Sequence, residues 1–335
     1  MLVGVDARAL AARRGVARYT RRMVEALAAL DGVGVRALVP GPAHPARPVE
    51  PVAGVEIVRT RLPSRVVHLA GAIAGFPRVD TLLGDAVDVT WLPAPAPVAV
   101  GDPYVLTVHD LSWEDRPGDF TRYERLWHRA ARPAAVARRA RVVVCDAPAV
   151  AELVAARWGV EDVRVVEPGV DRVDDVAPRP GAYFLYVGAL EPRKGLDVLA
   201  AAWARAALSG VELLVAGEGR EPVPGATLLG HVSDAELHAL YAGAQAVVLP
   251  SFLEGFGLPP REAAAYGTPS IVSDLPTLRL PGTLRVPPGD VDALAEALRA
   301  LPAERARLVA ELRPPRAWAD AARDLRAVLA EAAGP

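Results

Sequence analysis

Cysteine is nearly absent: Cys145 stands alone in 335 residues, so the chain cannot form an internal disulfide. It follows the apolar, β-branched run Val142, Val143, Val144 and reads as a buried, inert thiol. That usage points to a reducing compartment and a cytoplasmic protein. Lysine is nearly absent too. Of 38 basic residues all but Lys194 are arginine, which marks Lys194 as the one position using a compact ammonium. Long apolar runs are missing too. The longest, Val66 to Pro77, falls short of the roughly 20 residues that a spanning helix needs, and the opening MLVGVDAR lacks a signal-peptide progression. Neither strong acidity nor strong basicity is present: the net charge of −2 argues against nucleic acid as a partner and leaves weak contact with a membrane surface open. What the chain has is apolar content, 52%, and a length that suits two domains of roughly 160 residues each.

Ser251 to Pro269, SFLEGFGLPPREAAAYGTP, is the most informative stretch. The apolar run Ala246 to Leu249 predicts a buried strand, Gly255 and Gly257 predict a loop, and Pro259 and Pro260 suit the first turn of a helix that Gly267 and Pro269 end. A helix N-terminus after a glycine loop suits phosphate. Glu254 and Glu262 flank that position with seven residues between them. Carboxylates repel phosphate, so their task is to accept hydrogen bonds from hydroxyls. A nucleoside diphosphate sugar satisfies both demands.

Glu254, Gly255, Phe256, Gly257 and Glu262, with Leu258 and Pro259 after the loop and Gly267, Thr268, Pro269 closing it, resemble the E-x7-E signature of the retaining glycosyltransferases of family 4. The resemblance implies an α/β fold of the GT-B type, two Rossmann-like domains facing each other across a donor and acceptor cleft. The expected division is an acceptor domain over 1–172, a donor domain over 181–313, and a final segment, 314–335, whose helix crosses back to the first domain.

The rest of the chain agrees with this reading. Leu2 to Val5 predicts a strand, and a helix over Val16 to Leu30 follows the segment that ends at Gly15. GVARYTRRMVEAL (Gly15 to Leu27) resembles the family's donor-approaching entry, which makes Gly15 a donor-binding candidate and Arg18 and Tyr19 acceptor-side candidates. A proline-rich loop spans Pro40 to Pro51, and Pro93, Pro95 and Pro97 predict an irregular connection. His109 ends the strand Tyr104 to Val108, and TVHDLSW resembles the family motif whose histidine lies against the donor sugar; Asp110 joins the acceptor-side candidates. Arginines fill the interrupted helix Tyr123 to Arg139, read as a solvated face. Asp174 to Gly181 predicts a linker.

In the rear half, GALEPRKG follows the strand Phe184 to Val187 and sets Arg193 and Lys194 beside a helix start, as phosphate binding requires. Gly188 and Gly217, each directly after a strand, are donor-binding candidates. GEG at Gly217 to Gly219 lacks the third glycine of a dinucleotide fingerprint, which disfavours an NAD enzyme. Val232 and Ser233 resemble the backbone segment that holds the base, with Ser233 and Glu236 at capping-box spacing. Asp290 and Asp292, the one D-x-D, precede a helix expected over Ala293 to Leu301 and read as caps, so no metal and no cofactor is expected.

The resemblance thus implies transfer of a hexose from a nucleotide-diphosphate sugar, GDP-mannose-like before UDP-linked, to a hydroxyl on a glycan, a lipid-linked glycan or a small metabolite. Arg193, Lys194 and the N–H groups near Gly257 and Leu258 would stabilise the leaving diphosphate, Glu254 would hold the sugar, Glu262 the ribose, and His109 would close the site. A nucleotide-sugar epimerase or phosphorylase, or a binding protein without catalysis, stands as the alternative.

Overall fold

The computed structural model describes residues 1–11, 15–42, 49–84 and 87–334. The segment leading to Gly15 and most of the proline-rich loop from Pro40 to Pro51 lie outside the described residues. The chain divides into two compact units, 1–169 with 317–335, and 170–316.

The first unit is a parallel sheet of β1 (Leu2–Asp6), β2 (Gly34–Val39), β3 (Val55–Arg59), β4 (Val89–Leu92), β5 (Tyr104–Val108), β6 (Val142–Cys145) and β7 (Val163–Val165). Its order is β3-β2-β1-β4-β5-β6-β7, so the winding direction reverses between β1 and β4. The central strands are uninterrupted apolar runs because both faces are covered; β4, β5 and β6 are buried at every position. Helix Gly15–Ala28 lays Tyr19, Met23, Val24 and Leu27 on the sheet. Helix Trp318–Ala333 adds Trp318, Ala321, Leu325 and Leu329 to the same core, which is why the chain's end belongs to the first unit. Gly169 permits that docking: a Cβ there would fall 2.2 Å from the Trp318 backbone nitrogen.

The second unit repeats the scheme with β8 (Tyr183–Val187), β9 (Glu212–Ala216), β10 (Thr227–Gly230), β11 (Ala246–Leu249), β12 (Ser270–Ser273) and β13 (Thr283–Val286), in the order β10-β9-β8-β11-β12-β13. Here the reversal lies between β8 and β11. In open α/β sheets ligands collect outside the carboxyl ends of strands at such a point.

Strands β10 and β13 and the short helix Ser112–Asp115 have no counterpart in the sequence expectations, and three further elements differ from them. Ser64–Ala74, read only as an apolar segment, is a helix that buries Val67 and His68 and ends on Gly75 in the left-handed region. Val79–Leu83 is a short helix that sequence spacing did not show. Helix Val291–Glu311 does not stop at Leu301 but runs through Pro302, because Leu301 and Leu308 are both fully buried and their packing outweighs the hydrogen bond that proline removes. Cys145 is buried as expected, and burial pushes its thiol far up.

Candidate active site

In the second unit every donor-side candidate except the base segment lies on the loops leaving the carboxyl ends of β8, β9 and β11 or, for Leu258 and Glu262, in the helix that the β11 loop opens. These loops are stitched together by backbone. Gly188 N–H donates to Ala216 O (3.0 Å), Gly217 N–H to Gly230 O (2.8 Å), Leu190 N–H to Glu218 O (3.0 Å) and Phe252 N–H to Arg193 O (2.9 Å). Glycine makes such closeness possible. Gly217 has φ 147°, and a Cβ on it would sit 1.8 Å from the Gly188 carbonyl oxygen; one on Gly195 would sit 2.2 Å from that of Pro250.

Lys194 lies on the 3-10 turn Pro192–Lys194, which Gly195 closes in the left-handed region before helix Leu196–Ala206 begins. Its Nζ donates to Glu254 Oε1 at 2.6 Å, and Ser251 Oγ donates to the same oxygen at 2.6 Å. The side chains of Lys194 and Glu254 are only 12% and 8% exposed, so this is a buried ion pair built across the switch point and not two solvated charges. Thr277 fixes the loop from beneath by donating to Glu254 O at 2.9 Å. Arg193 is paired within its own loop, its Nε donating to Glu191 Oε2 at 3.1 Å. Lys194, expected at phosphate, and Glu254, expected at sugar, are hydrogen-bonded to each other in this structure. Tyr186, fully buried beside them, has its phenol pushed well up by burial and then by the Glu254 charge.

Helix Leu258–Ala265 starts after Gly257, which is left-handed at φ 74°. Pro259 and Pro260 occupy its first turn, so among its leading residues only Leu258 offers an N–H. Glu262 is 5% exposed and accepts a 2.6 Å hydrogen bond on Oε2 from the Tyr241 hydroxyl. Tyr241 was invisible to the sequence reading, lying 21 residues away on another helix. Phe256 is buried, with the Arg261 guanidinium 3.8 Å over its ring, and Gly255 is buried beside it. Ser233 and Glu236 complete a reciprocal capping box over helix Asp234–Gly243: the Ser233 hydroxyl accepts from the Glu236 N–H (3.3 Å) and the Ser233 N–H donates to Glu236 Oε2 (2.8 Å), so the cap already engages both the side chain and the N–H of Ser233. Asp290 caps Val291–Glu311 through Ala293 N–H (2.9 Å), and Asp292 pairs with Arg205.

In the first unit the candidates gather outside the carboxyl ends of β1, β4, β5 and β6. His109 is held at both ring nitrogens: Nδ1 lies 2.6 Å from Asp146 Oδ2 and Nε2 lies 2.8 Å from Pro93 O. A carbonyl only accepts, and so does an ionised carboxylate. The ring that satisfies both is the imidazolium. Burial, the largest single influence on His109, favours the neutral ring, but the charge and hydrogen bond of Asp146, the charge of Asp110 and the Pro93 carbonyl together outweigh it and raise its pKa. Asp146, just past β6, and the β1 pair Asp6 and Arg8 escaped the sequence reading. Their signal was their place at strand ends. Arg8 pairs with Asp6 and donates to Ala94 O (3.1 Å) and Pro95 O (3.0 Å), so two cations organise the proline-rich connection after β4.

One acceptor-side expectation needs correction. Tyr19 does not face an acceptor: it is 2% exposed and its ring packs edge-on against His109 (4.6 Å), Trp91 and Trp318, because it falls on the buried stripe of its helix. Asp110 turns back on its own chain, accepting from the Ser112 N–H (2.9 Å) and hydroxyl (2.6 Å). Arg18 is half-buried, and Gly15 opens its helix with nothing within 4 Å of a Cβ.

The His109 clamp gives a measurable outcome. A histidine whose folded pKa exceeds the unfolded value adds stability that is complete below about pH 6.5 and is lost as pH rises through the folded value. Asp146→Asn is expected to remove that contribution, costing about 2 kcal/mol at acid pH, and to lower the His109 titration midpoint seen by NMR. An unchanged midpoint would show that the carboxylate does not hold the proton.

Comparison with known proteins agrees with this architecture. Residues 181–304 match the family described as glycosyl transferases group 1, and residues 13–173 match Glycosyltransferase Family 4. Over 215 residues the chain is 30% identical to the O-antigen chain mannosyltransferase RfbU of Salmonella typhimurium, covering 58% of this chain and 59% of that protein. It is 36% identical over 167 residues to the glycogen synthase of Mycobacterium tuberculosis, 43% of this chain and 40% of that one. The chain thus spans from two fifths to three fifths of these curated relatives. Among solved structures, sucrose-phosphate synthase from Thermosynechococcus elongatus superposes with a TM-score of 0.69 at 21% identity, covering 98% of this chain and 94% of that one. The Anabaena protein HepE, solved with UDP and glucose, gives 0.70 at 16% identity with 98% of each chain covered. Matched in both halves by family and throughout by fold, the chain belongs to the family 4 glycosyltransferases and has their α/β GT-B fold.

Proposed function

We propose that the chain transfers a hexose, with retention, from a nucleotide-diphosphate sugar to an acceptor hydroxyl on a glycan, a lipid-linked glycan or a small metabolite. The observation that carries this reading is the buried Lys194–Glu254 pair at the β8/β11 reversal, with Glu262 eight residues further on, buried in the helix that the loop opens. The hard event in such a transfer is departure of the diphosphate. Lys194, Arg193 and the amide groups at Gly257 and Leu258 would receive that charge. Glu254 would then turn its oxygens to sugar hydroxyls, and Glu262, steadied by Tyr241, would accept from the ribose. The backbone near Val232 and Ser233 would meet the base, with Gly188 and Gly217 leaving room for the diphosphate. No metal or cofactor has a role in this reading.

GDP-mannose is the favoured donor because curated relatives are named mannosyltransferases, and UDP-sugars stand next because HepE is solved with UDP-glucose. A thermal-shift panel of GDP-, UDP-, dTDP- and ADP-sugars tests it: at roughly 100 times Kd a true donor adds about 2.7 kcal/mol. Stabilisation by a mannose donor with release of GDP is expected once an acceptor is supplied. Uniform silence across the panel would defeat the reading, and stabilisation by a UDP-sugar alone would reassign the donor.

A further inference from the structure

The described residues expose eleven large apolar side chains, and they are not scattered. Five of them, Leu62, Val66, Leu69, Ile73 and Phe76, recur at alternating steps of four and three along helix Ser64–Ala74 and its flanks, Ile73 being 77% exposed. That is one continuous stripe on the outer face of a helix whose inner face, Val67, His68 and Gly71, is buried. An apolar stripe of this length is not needed for the fold, since it touches solvent.

The charges around it have one sign. Residues 57–79 contain Arg59, Arg61, Arg65 and Arg78 and no acid. Arg59 and Arg61 are exposed at one end of the helix, and Arg78, partly neutralised by Asp80 at 2.7 Å, at the other. The neighbouring helix Arg122–Ala131 continues the pattern. It is joined to the first by the His68 ring packed edge-on against Trp127, 5.3 Å between centroids. It exposes Tyr123 and Leu126 together with Arg122, Arg125 and Arg129. From Thr121 to Arg141 there are seven arginines and a single acid, Glu124, which the Thr121 cap engages. Five of those arginines, Arg122, Arg125, Arg129, Arg132 and Arg138, line one open concavity of about 940 Å³, with Trp113 and a single acid, Glu114, among the other lining residues.

We infer that this face of the first unit, the stripe Leu62–Phe76 with the arginines of helix Arg122–Ala131, docks on an anionic lipid bilayer. Apolar side chains that enter the acyl boundary, beside guanidinium groups that meet lipid phosphates, are the two signals that reversible surface binding requires. No helix among the described residues is long and apolar enough to cross the membrane, so the contact is with its surface. A second copy of the chain fits the same face badly. A two-fold contact through the stripe would bring two arginine-rich faces together, with few acids beside them to offset the repulsion.

The test is flotation of the whole chain with vesicles of phosphatidylcholine plus phosphatidylglycerol, against phosphatidylcholine alone. The wild type is expected to float with the anionic vesicles, less so as salt rises, because screening weakens the arginine contribution. Leu69→Asp with Ile73→Asp, and separately Arg122→Gln with Arg129→Gln, should each lower the bound fraction about tenfold. All four positions are exposed, so circular dichroism melts should match the wild type. Wild-type protein that stays in solution with every vesicle, or binding that survives both variants, overturns the proposal. Dimerisation that Ile73→Asp abolishes, without vesicle binding, also overturns it and gives the stripe to a second copy. None of these readouts involves donor or acceptor, so the outcome is separate from that of the transfer reading.

Discussion

Lys194→Ala is expected to lower the transfer rate about a hundredfold, the usual consequence of losing one donor, about 3 kcal/mol, to a developing oxyanion. Two effects will be mixed in that variant. The ammonium is lost from the leaving group, and Glu254, 8% exposed, is left with Ser251 as its named hydrogen-bond donor and no cation at 2.6 Å. Breaking a buried pair from one side destabilises a fold by about 3 kcal/mol. The double variant Lys194→Ala with Glu254→Gln isolates the stability effect, since it removes the stranded charge: stability should return. Single-turnover kinetics beside urea unfolding read the two quantities. Turnover within a few-fold of wild type in Lys194→Ala would refute the assignment of this lysine to the leaving group.

Gly217→Ala is expected to cost the second unit at least about 3 kcal/mol. The new methyl would meet the Gly188 carbonyl oxygen at 1.8 Å, and the backbone there has φ 147°, which residues with a side chain rarely adopt. No rotamer change relieves the clash, because the obstacle is backbone held by Gly188 N–H on Ala216 O. Relief requires parting β8 from β9 at the end where Lys194 begins its turn. Calorimetry should therefore show the transition of residues 170–316 shifted down. Gly15→Ala is the control, with nothing within 4 Å and a helical position that alanine favours by up to about 1 kcal/mol. A Gly217→Ala protein as stable as the Gly15→Ala protein would mean that the loops do not pass this closely.

Much of the architecture was legible from punctuation. The run Ala246 to Leu249, the glycines after it and the paired prolines placed β11, its loop and its helix correctly, because each residue type there restricts the backbone in one direction. Composition alone singled out Lys194. What the sequence could not show was partnership across distance. Lys194 and Glu254 are 60 residues apart, and a spacing argument sends them to different parts of a ligand instead of to each other. Asp146 looked like any acid after a strand, and only the packing of β6 beside β5 brings it to His109. Tyr19 carried two readings at once, an acceptor contact by family motif and a core position by helical spacing; burial decided for the spacing. The helix expected over Ala293 to Leu301 runs on through Pro302 because Leu308, about a turn and a half later, is buried, which no local signal shows.

The Lys194–Glu254 contact has a consequence for selectivity. While the two are joined, each is already satisfied, so a bare phosphate must detach the ammonium and strand the carboxylate, and a neutral sugar must do the reverse. Either half of the donor alone therefore faces an uphill exchange. On the proposed donor reading, a molecule bringing anion and hydroxyls together would replace both partners in one step, which would make the resting pair a two-key lock against free nucleotides and free sugars.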